Sequence, residues 1–297
     1  MGFSSKYRHK KNIERIELTP WFYYDVIKTR KRIIHAPSPA LKKAQRTILR
    51  KYFKEYWVFN SVKYAASVHC SKKWLMKLDI KDFYNSVTEE QIRQVLNDYV
   101  SMDKCKNTDR SREVSAEVEQ IFSICTINGK LPTGAPTSPY IANLLLIKFD
   151  LHMEDYCRTC DVYYSRYMDD MIFSSDDKYF LNMIEKFVQK TLTNFGYKLN
   201  DKKTKYISDN KQQNVLGVVV NNKDVRLPKT LRKKLRAMIH SYSVYQSSGA
   251  KEIDLKFRTW DEKSLAKFKG YLAYTKQVDE KSYNKLMKYA KSLNVNL

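Results

Sequence analysis

Glycine is scarce, with only 7 in the 297 residues, and no Gly/Ser linker, low-complexity tract or internal repeat interrupts the chain. That excludes flexibly tethered modules and a solenoid. No apolar run approaches the roughly 18 residues that a membrane span needs. The opening residues, Met1 to Lys11, lack a signal-peptide core. Five cysteines, an odd number without framework spacing, exclude a disulfide scaffold and point to a reducing compartment. The expectation is a soluble cytoplasmic protein without a membrane partner.

Acidic residues are outnumbered, 32 against 55 Lys and Arg, which leaves a formal charge of +23. The excess is confined to the two ends. Residues 1–60 carry 15 basic and 4 acidic side chains, residues 61–210 carry 21 of each, and residues 211–297 carry 19 and 7. Two basic ends around a neutral centre suit a protein that grips a polyanion while its centre does work that needs carboxylates. A merely soluble, Lys-rich surface would give the same total. The 22 tyrosines suit stacking on unpaired bases, and they suit an ordinary core equally well. At 43% apolar residues the chain can bury a real core, as one large domain or two to three lobes.

Local patterns place the elements. Segment 41–54 reads as a basic helix. Thr88-Glu89-Glu90-Gln91 is a capping box, followed by Ile92, Val95, Leu96 and Tyr99 at helical spacing. Ser138 and Pro139 read as an N-cap and first helical residue, opening an apolar helix through Ile141, Leu144, Leu145 and Phe149. Val162–Tyr167 and Met171–Ser175 read as a hairpin, and Asn214–Asn221 with Val225–Leu227 as another. From Lys229 a helix sets Leu231, Leu235, Met238, Ile239 and Tyr242 on one face and Lys229, Arg232, Lys233 and Arg236 on the other. The central order of strand, helix, helix, hairpin, strand predicts an α+β fold with an antiparallel sheet.

Three acidic residues stand out. Asp79 ends the apolar run Trp74-Leu75-Met76-Lys77-Leu78, and Asp169-Asp170 occupy the turn of the first hairpin. An Asp pair at a turn is ordinarily a solvated β-turn. Here both flanks are apolar, with Tyr163, Tyr164 and Tyr167 before and Met171, Ile172 and Phe173 after. Two adjacent carboxylates pressed together there are unfavourable unless a cation neutralises them. Hard oxygen ligands point to Mg²⁺. A pair of such ions about 3.5–4 Å apart is the arrangement that serves in-line nucleotidyl transfer. Cys157-x-x-Cys160 lacks a second Cys/His pair and is set aside as a zinc site.

With these residues placed, a family resemblance emerges. Tyr167-Met168-Asp169-Asp170 resembles the YxDD box of reverse transcriptases. Leu78-Asp79-Ile80-Lys81-Asp82-Phe83-Tyr84 resembles their first aspartate motif, and Leu131-Pro132-Thr133-Gly134-Ala135-Pro136-Thr137-Ser138-Pro139 their LPQGAPTSP loop. Gly196-Tyr197-Lys198-Leu199-Asn200 with Lys203-Thr204 is similar to the GxxxN…KT motif that follows. Arg32-Ile33-Ile34-His35-Ala36-Pro37-Ser38, then Leu41 and Gln45, is similar to the opening of bacterial retron enzymes. Ala65-Ala66-Ser67-Val68-His69 and Val215-Leu216-Gly217 match the retron NAxxH and VTG patterns in part, with Ala65 in place of Asn and Leu216 in place of Thr. Thr133 stands where Gln is usual.

The resemblance implies a right-hand polymerase: fingers over 1–75 with part of 88–130, a palm over 76–225, and a helical thumb over 226–297. It implies two Mg²⁺ ions on Asp79, Asp169, Asp170 and the Ile80 carbonyl. Tyr84 resembles the steric gate against a 2′-hydroxyl. Arg32, with Lys28 and Arg30 as alternatives, would bind the triphosphate, beside Thr133 and Gly134. Lys203, with Lys202 and Lys205 as neighbours, would neutralise or protonate the leaving pyrophosphate, and Asp82 is structural or sugar-proximal. Lys229, Arg232, Lys233 and Arg236 would track the duplex through its phosphates, and His69 is structural or touches RNA. The implied partners are dNTPs, a cognate structured noncoding RNA, its branched single-stranded DNA product (msDNA) and an effector protein, in antiphage defence. The alternatives are a reverse transcriptase of another class (group II intron-like, diversity-generating or another defence type) or an RNA-binding scaffold for an effector.

Overall fold

The computed structural model describes residues 14–29, 33–53, 61–104, 111–248 and 260–295. Strands β1 (Glu14–Glu17), β2 (Tyr23–Lys28) and β3 (Ile33–Pro37) form an antiparallel meander. Alternation along β2 turns Tyr24 and Val26 inward. Helix α1 (Pro39–Tyr52) follows at once. The Ser38 hydroxyl caps it by accepting from the Leu41 amide, and Pro39 opens it. It therefore starts two residues before the expected 41, while Lys54 lies outside the described residues. Buried Gln45 ties helix to sheet by donating to the Tyr24 hydroxyl at 2.6 Å and the Ile124 carbonyl at 2.9 Å.

The central part runs through α2 (Val62–Ser67), β4 (Trp74–Asp79), α3 (Phe83–Ser86), α4 (Glu89–Lys104) and α5 (Ser111–Cys125). It continues with α6 (Ser138–Leu145), α7 (Ile147–Thr159), β5 (Tyr163–Tyr167), β6 (Asp170–Ser175), α8 (Lys178–Asn194), a 3₁₀ turn (Asp201–Lys203) and β7 (Lys205–Ser208). The capping box forms: the Gln91 amide donates to the Thr88 hydroxyl, and the Thr88 amide donates to the Gln91 side-chain oxygen. The helix expected from Ser138 through Phe149 is two helices, broken at Leu146. Thr137, not Ser138, sits at its N-cap, and the Ser138 hydroxyl donates to the Pro132 carbonyl instead.

Strands β5, β6, β4 and β7 form one antiparallel sheet in that order. Its two faces differ, because side chains alternate along each strand. Met76, Leu78, Met171 and Phe173 face the main core, shared with Ile141, Phe149, Ile184 and Val188 of α6, α7 and α8. Leu75 and Ile172 point the other way, into a second core made largely by the C-terminal segment. That second face carries Lys77, Asp79 and Asp170 further along, towards the end of β4.

The C-terminal segment contains β8 (Asn214–Val215), β9 (Val218–Val219), α9 (Lys229–Ser248), α10 (Glu262–Val278) and α11 (Glu280–Ser292). The hairpin expected between 214–221 and 225–227 is tighter than its sequence suggests. The chain reverses at Leu216-Gly217, both at positive φ (48° and 87°), and Val219 then bridges to Arg226. Asp279, 3% exposed, caps α11 through the Ser282 amide and hydroxyl and also accepts from the Leu227 amide, which ties the helices to this strand. Among the described residues no helix is long and apolar enough to cross a membrane.

Candidate active site

Asp79 and Asp170 are direct partners in the β4–β6 register. Directly opposed residues share a sheet face with Cβ atoms about 4.5–5.5 Å apart, so strand pairing alone sets two carboxylates side by side. Asp169 precedes Asp170 in the two-residue turn Met168-Asp169 that joins β5 to β6. Met168 holds a φ of +58°, a conformation that costs a non-glycine residue about 1–3 kcal/mol. Asp79 is buried, Asp169 half-buried and Asp170 exposed. Burial raises the Asp169 carboxyl above the usual aspartate value, and the Asp79 charge adds to the shift. For Asp170, whose residue is exposed overall, partial desolvation of the carboxyl and then the charges of Asp169 and of its strand partner Asp79 raise the value. The three charges thus act on one another.

A buried network holds the strained turn from behind. Arg166 donates from Nη1 to the Met168 carbonyl at 2.8 Å and from Nε to Asp150 Oδ1 at 2.7 Å, with a second bond from Nη2 to Asp150 Oδ2. The Tyr164 hydroxyl donates to the same Asp150 at 2.7 Å. The Arg166 side chain is 3% exposed. Neither Arg166 nor Asp150 was singled out in the sequence. Arg166 lies just before the Tyr167–Asp170 box, on β5, but Asp150 sits on α7 and only the fold reveals the pair.

Asp79 is clamped from the other side. Leu199 bridges to Ile80, the Asn200 amide donates to the Asp79 carbonyl, and the Asn200 side chain donates to Asp79 Oδ2 at 3.0 Å. The Lys203 ammonium lies 2.9 Å from both Asp79 carboxylate oxygens, and this pairing raises its pKa. Lys203, expected at a leaving group, therefore rests on the aspartate itself. Asn200 had no assigned role, although it belongs to the quoted motif. The Ile80 side chain is buried. Tyr84 is half-buried, and its hydroxyl is pushed up to about 12 by burial and then by the Asp169 charge. Asp82 stands exposed, in the left-handed region at φ +47°.

The loop with Thr133 and Gly134 docks on the N-terminal sheet, where the His35 amide donates to the Thr133 carbonyl at 2.7 Å. Gly134 has φ +119°, and a Cβ there would meet the His35 carbonyl oxygen at 2.7 Å, so only glycine fits. Lys28 lies exposed at the end of β2, with its ammonium 2.9 Å from Glu14. Arg30 and Arg32 lie outside the described residues.

His69 is corrected as a nucleic-acid contact. It is fully buried, and its ring nitrogens bond the hydroxyls of Ser174 at 2.7 Å and Ser165 at 2.8 Å, so it pins β5 to β6 from within. Lys229, Arg232, Lys233 and Arg236 are exposed on α9. Lys229 and Arg232 line a cleft with Lys223, Arg226 and Lys281, and the Arg236 guanidinium lies over the Tyr289 ring. Cys157 and Cys160 are free thiols, Cys157 buried.

Among the described residues no three carboxylate, His or Cys side chains stand close enough together to hold an ion. The chemistry of the donor set fits a divalent cation all the same. It consists of carboxylate oxygens, the ligands of hard ions, and an ammonium already lies on one of them.

The family model "Reverse transcriptase (RNA-dependent DNA polymerase)" matches residues 10–220. A retron reverse transcriptase of Myxococcus xanthus is 28% identical over 275 residues, covering 88% of this chain and 61% of that protein. One of Escherichia coli is 25% identical over 273 residues, covering 89% of this chain and 77% of that protein. The chain therefore spans less than two thirds of the first relative's length. Among solved structures, a Candida albicans telomerase in complex with a telomeric RNA fragment aligns at 12% identity and a TM-score of 0.49, over 90% of this chain and 56% of that one. That likeness is too slight to bear on the family. The matched span holds the aspartates, the Gly134 loop and Asn200, and the chain belongs to the reverse transcriptase family, with retron reverse transcriptases among its relatives.

Proposed function

We propose that this protein is an RNA-directed DNA polymerase of the retron type, acting in the cytoplasm. The observation that supports it most is the pairing of Asp79 with Asp170 beside Asp169 at one end of the central sheet. The fingers span 1–75 with part of 88–130, the palm 76–225 and the thumb 226–297. Asp79, Asp169, Asp170 and the Ile80 carbonyl would hold two Mg²⁺ ions. Such ions lower the pKa of an attacking hydroxyl and offset charge on the transferring phosphoryl oxygens.

The chain's own groups do the rest. Tyr84, close enough to Asp169 to feel its charge, packs against the sugar and excludes a 2′-hydroxyl, which selects dNTPs. Arg32, with Lys28 and Arg30 as alternatives, would grip the triphosphate, since an arginine offers phosphate a bidentate fork. Thr133 and Gly134 bring backbone close to the nucleotide. Lys229, Arg232, Lys233 and Arg236 hold the template–primer duplex through phosphates, a sequence-independent and salt-sensitive contact. The RNA is a cognate structured noncoding transcript that serves as template and primer, with a guanosine 2′-hydroxyl starting a branched single-stranded DNA. The complex works in antiphage defence with an effector protein.

Sequencing of nucleic acid that co-purifies with the protein, together with primer extension on an RNA template, tests this reading. The expected result is one structured RNA joined to a short DNA, and dNTP-dependent extension. Bound RNA with no DNA and no extension would overturn it in favour of a scaffold.

A further inference from the structure

Lys203 is placed by the 3₁₀ turn Asp201–Lys203, and its ammonium reaches both Asp79 oxygens at 2.9 Å. Asn200 takes a further bond to Oδ2. The charges of Asp169 and Asp170 act on the same ammonium. One lysine therefore sits at the electrostatic focus of all three carboxylates. It is also free to leave. Its side chain is 61% exposed, on a flexible four-carbon stem.

We propose that Lys203 is an exchangeable counter-ion: its ammonium occupies Asp79 in the metal-free protein and must swing into the cleft when a divalent cation takes the aspartates. This rests on the reading of the aspartates as cation ligands, and goes beyond it. Asp79 cannot give the same oxygens to an ammonium and to a metal ion, because two cations at that spacing repel each other. The lysine thus stabilises the empty site and competes with the ion for it. Asn200, which donates to a single oxygen and carries no charge, keeps Asp79 oriented through the exchange. Once released, Lys203 stands beside the aspartates with its donors free for the oxygens of a bound polyphosphate.

The test is a titration of the purified protein with MnCl₂, with free ion read by electron paramagnetic resonance, and a melting curve in EDTA and in saturating MnCl₂. Wild type is compared with Lys203→Gln, Lys203→Arg and Asp169→Asn. Lys203→Gln is expected to bind Mn²⁺ about fivefold more tightly, the scale of one exposed ion pair lost as competitor. In EDTA it should melt about 2–4 °C below wild type, and the gap should close in saturating MnCl₂. Lys203→Arg should behave as wild type. An unchanged Mn²⁺ affinity in Lys203→Gln, or a melting deficit that persists in MnCl₂, would overturn the exchange and leave Lys203 a structural residue. If wild type and Asp169→Asn titrate alike, the aspartates bind no ion, and the metal reading itself falls with the exchange.

Discussion

Replacing Arg166 with Met removes the guanidinium that joins Asp150 to the Met168 carbonyl while keeping most of the side-chain volume. The Arg166 side chain is 3% exposed and that of Asp150 17%, so both partners are largely shielded from water. Removing one partner of a buried pair costs about 3–5 kcal/mol, because the other charge stays behind uncompensated. For a domain of this size each kcal/mol moves the melting temperature by about 2–4 °C, so the expected fall is roughly 6–20 °C. The Met168 carbonyl also loses its donor, which frees the turn that positions Asp169. Thermal unfolding by circular dichroism, run on Arg166→Met, Asp150→Leu and the double variant, measures the coupling. The double variant should be less destabilised than the sum of the singles, since it leaves no orphan charge. Extension activity of Arg166→Met, measured well below its melting point, should fall further than its folded fraction explains. A melting temperature within about 2 °C of wild type would refute the claim that this pair braces the turn.

The buried His69 carries a pH prediction. Burial lowers its pKa to about 3, so the folded protein keeps it neutral while the unfolded chain protonates it below the ordinary histidine value. The unfolded state then binds the extra proton, and stability is lost as pH falls from about 6.5 towards 3, at up to about 1.4 kcal/mol per unit. Stability against pH should therefore be shallower over that window in His69→Gln than in wild type, and equal slopes would contradict the assignment. Gly134→Ala must both accept φ +119° and push against the His35 carbonyl, so it should cost about 1–3 kcal/mol in denaturant unfolding, whereas a neutral effect would show that the loop docks differently. Tyr84→Ala should raise ribonucleotide incorporation relative to dNTPs in competition assays, and unchanged selectivity would remove Tyr84 from the sugar contact.

Local signals were legible wherever the chain states its own geometry. Thr88 to Gln91 spell a capping box and form one, and the two β-prone runs around Asp169-Asp170 spell a hairpin and form one. The α9 stripe, with Leu235, Met238 and Ile239 inward and Lys229, Arg232, Lys233 and Arg236 outward, follows from helical spacing alone. Less readable were features decided by partners far along the chain. His69 looks like any polar residue after a short helix, and only strands β5 and β6, about a hundred residues on, supply the two serines that bury it. Leu216 at positive φ is an unfavourable turn residue, so a strand through it was the natural reading, and the tertiary contacts of Val215 and Val218 override that preference. The break at Leu146 falls in an apolar run in which period alone cannot mark an end. The carboxylates themselves were recognisable by motif, but the bonds of Asn200 and Lys203 to Asp79, and of Arg166 to Asp150, appear only in the folded chain.

The central claim is that Asp79, Asp169 and Asp170 form one nucleotidyl-transfer centre. Primer extension on an RNA template, with purified wild type and Asp169→Asn matched for circular dichroism spectrum and melting behaviour, tests it most directly. The expected result is dNTP incorporation by wild type, dependent on added Mg²⁺, and none by the variant. Incorporation by the folded variant at the wild-type rate would contradict it.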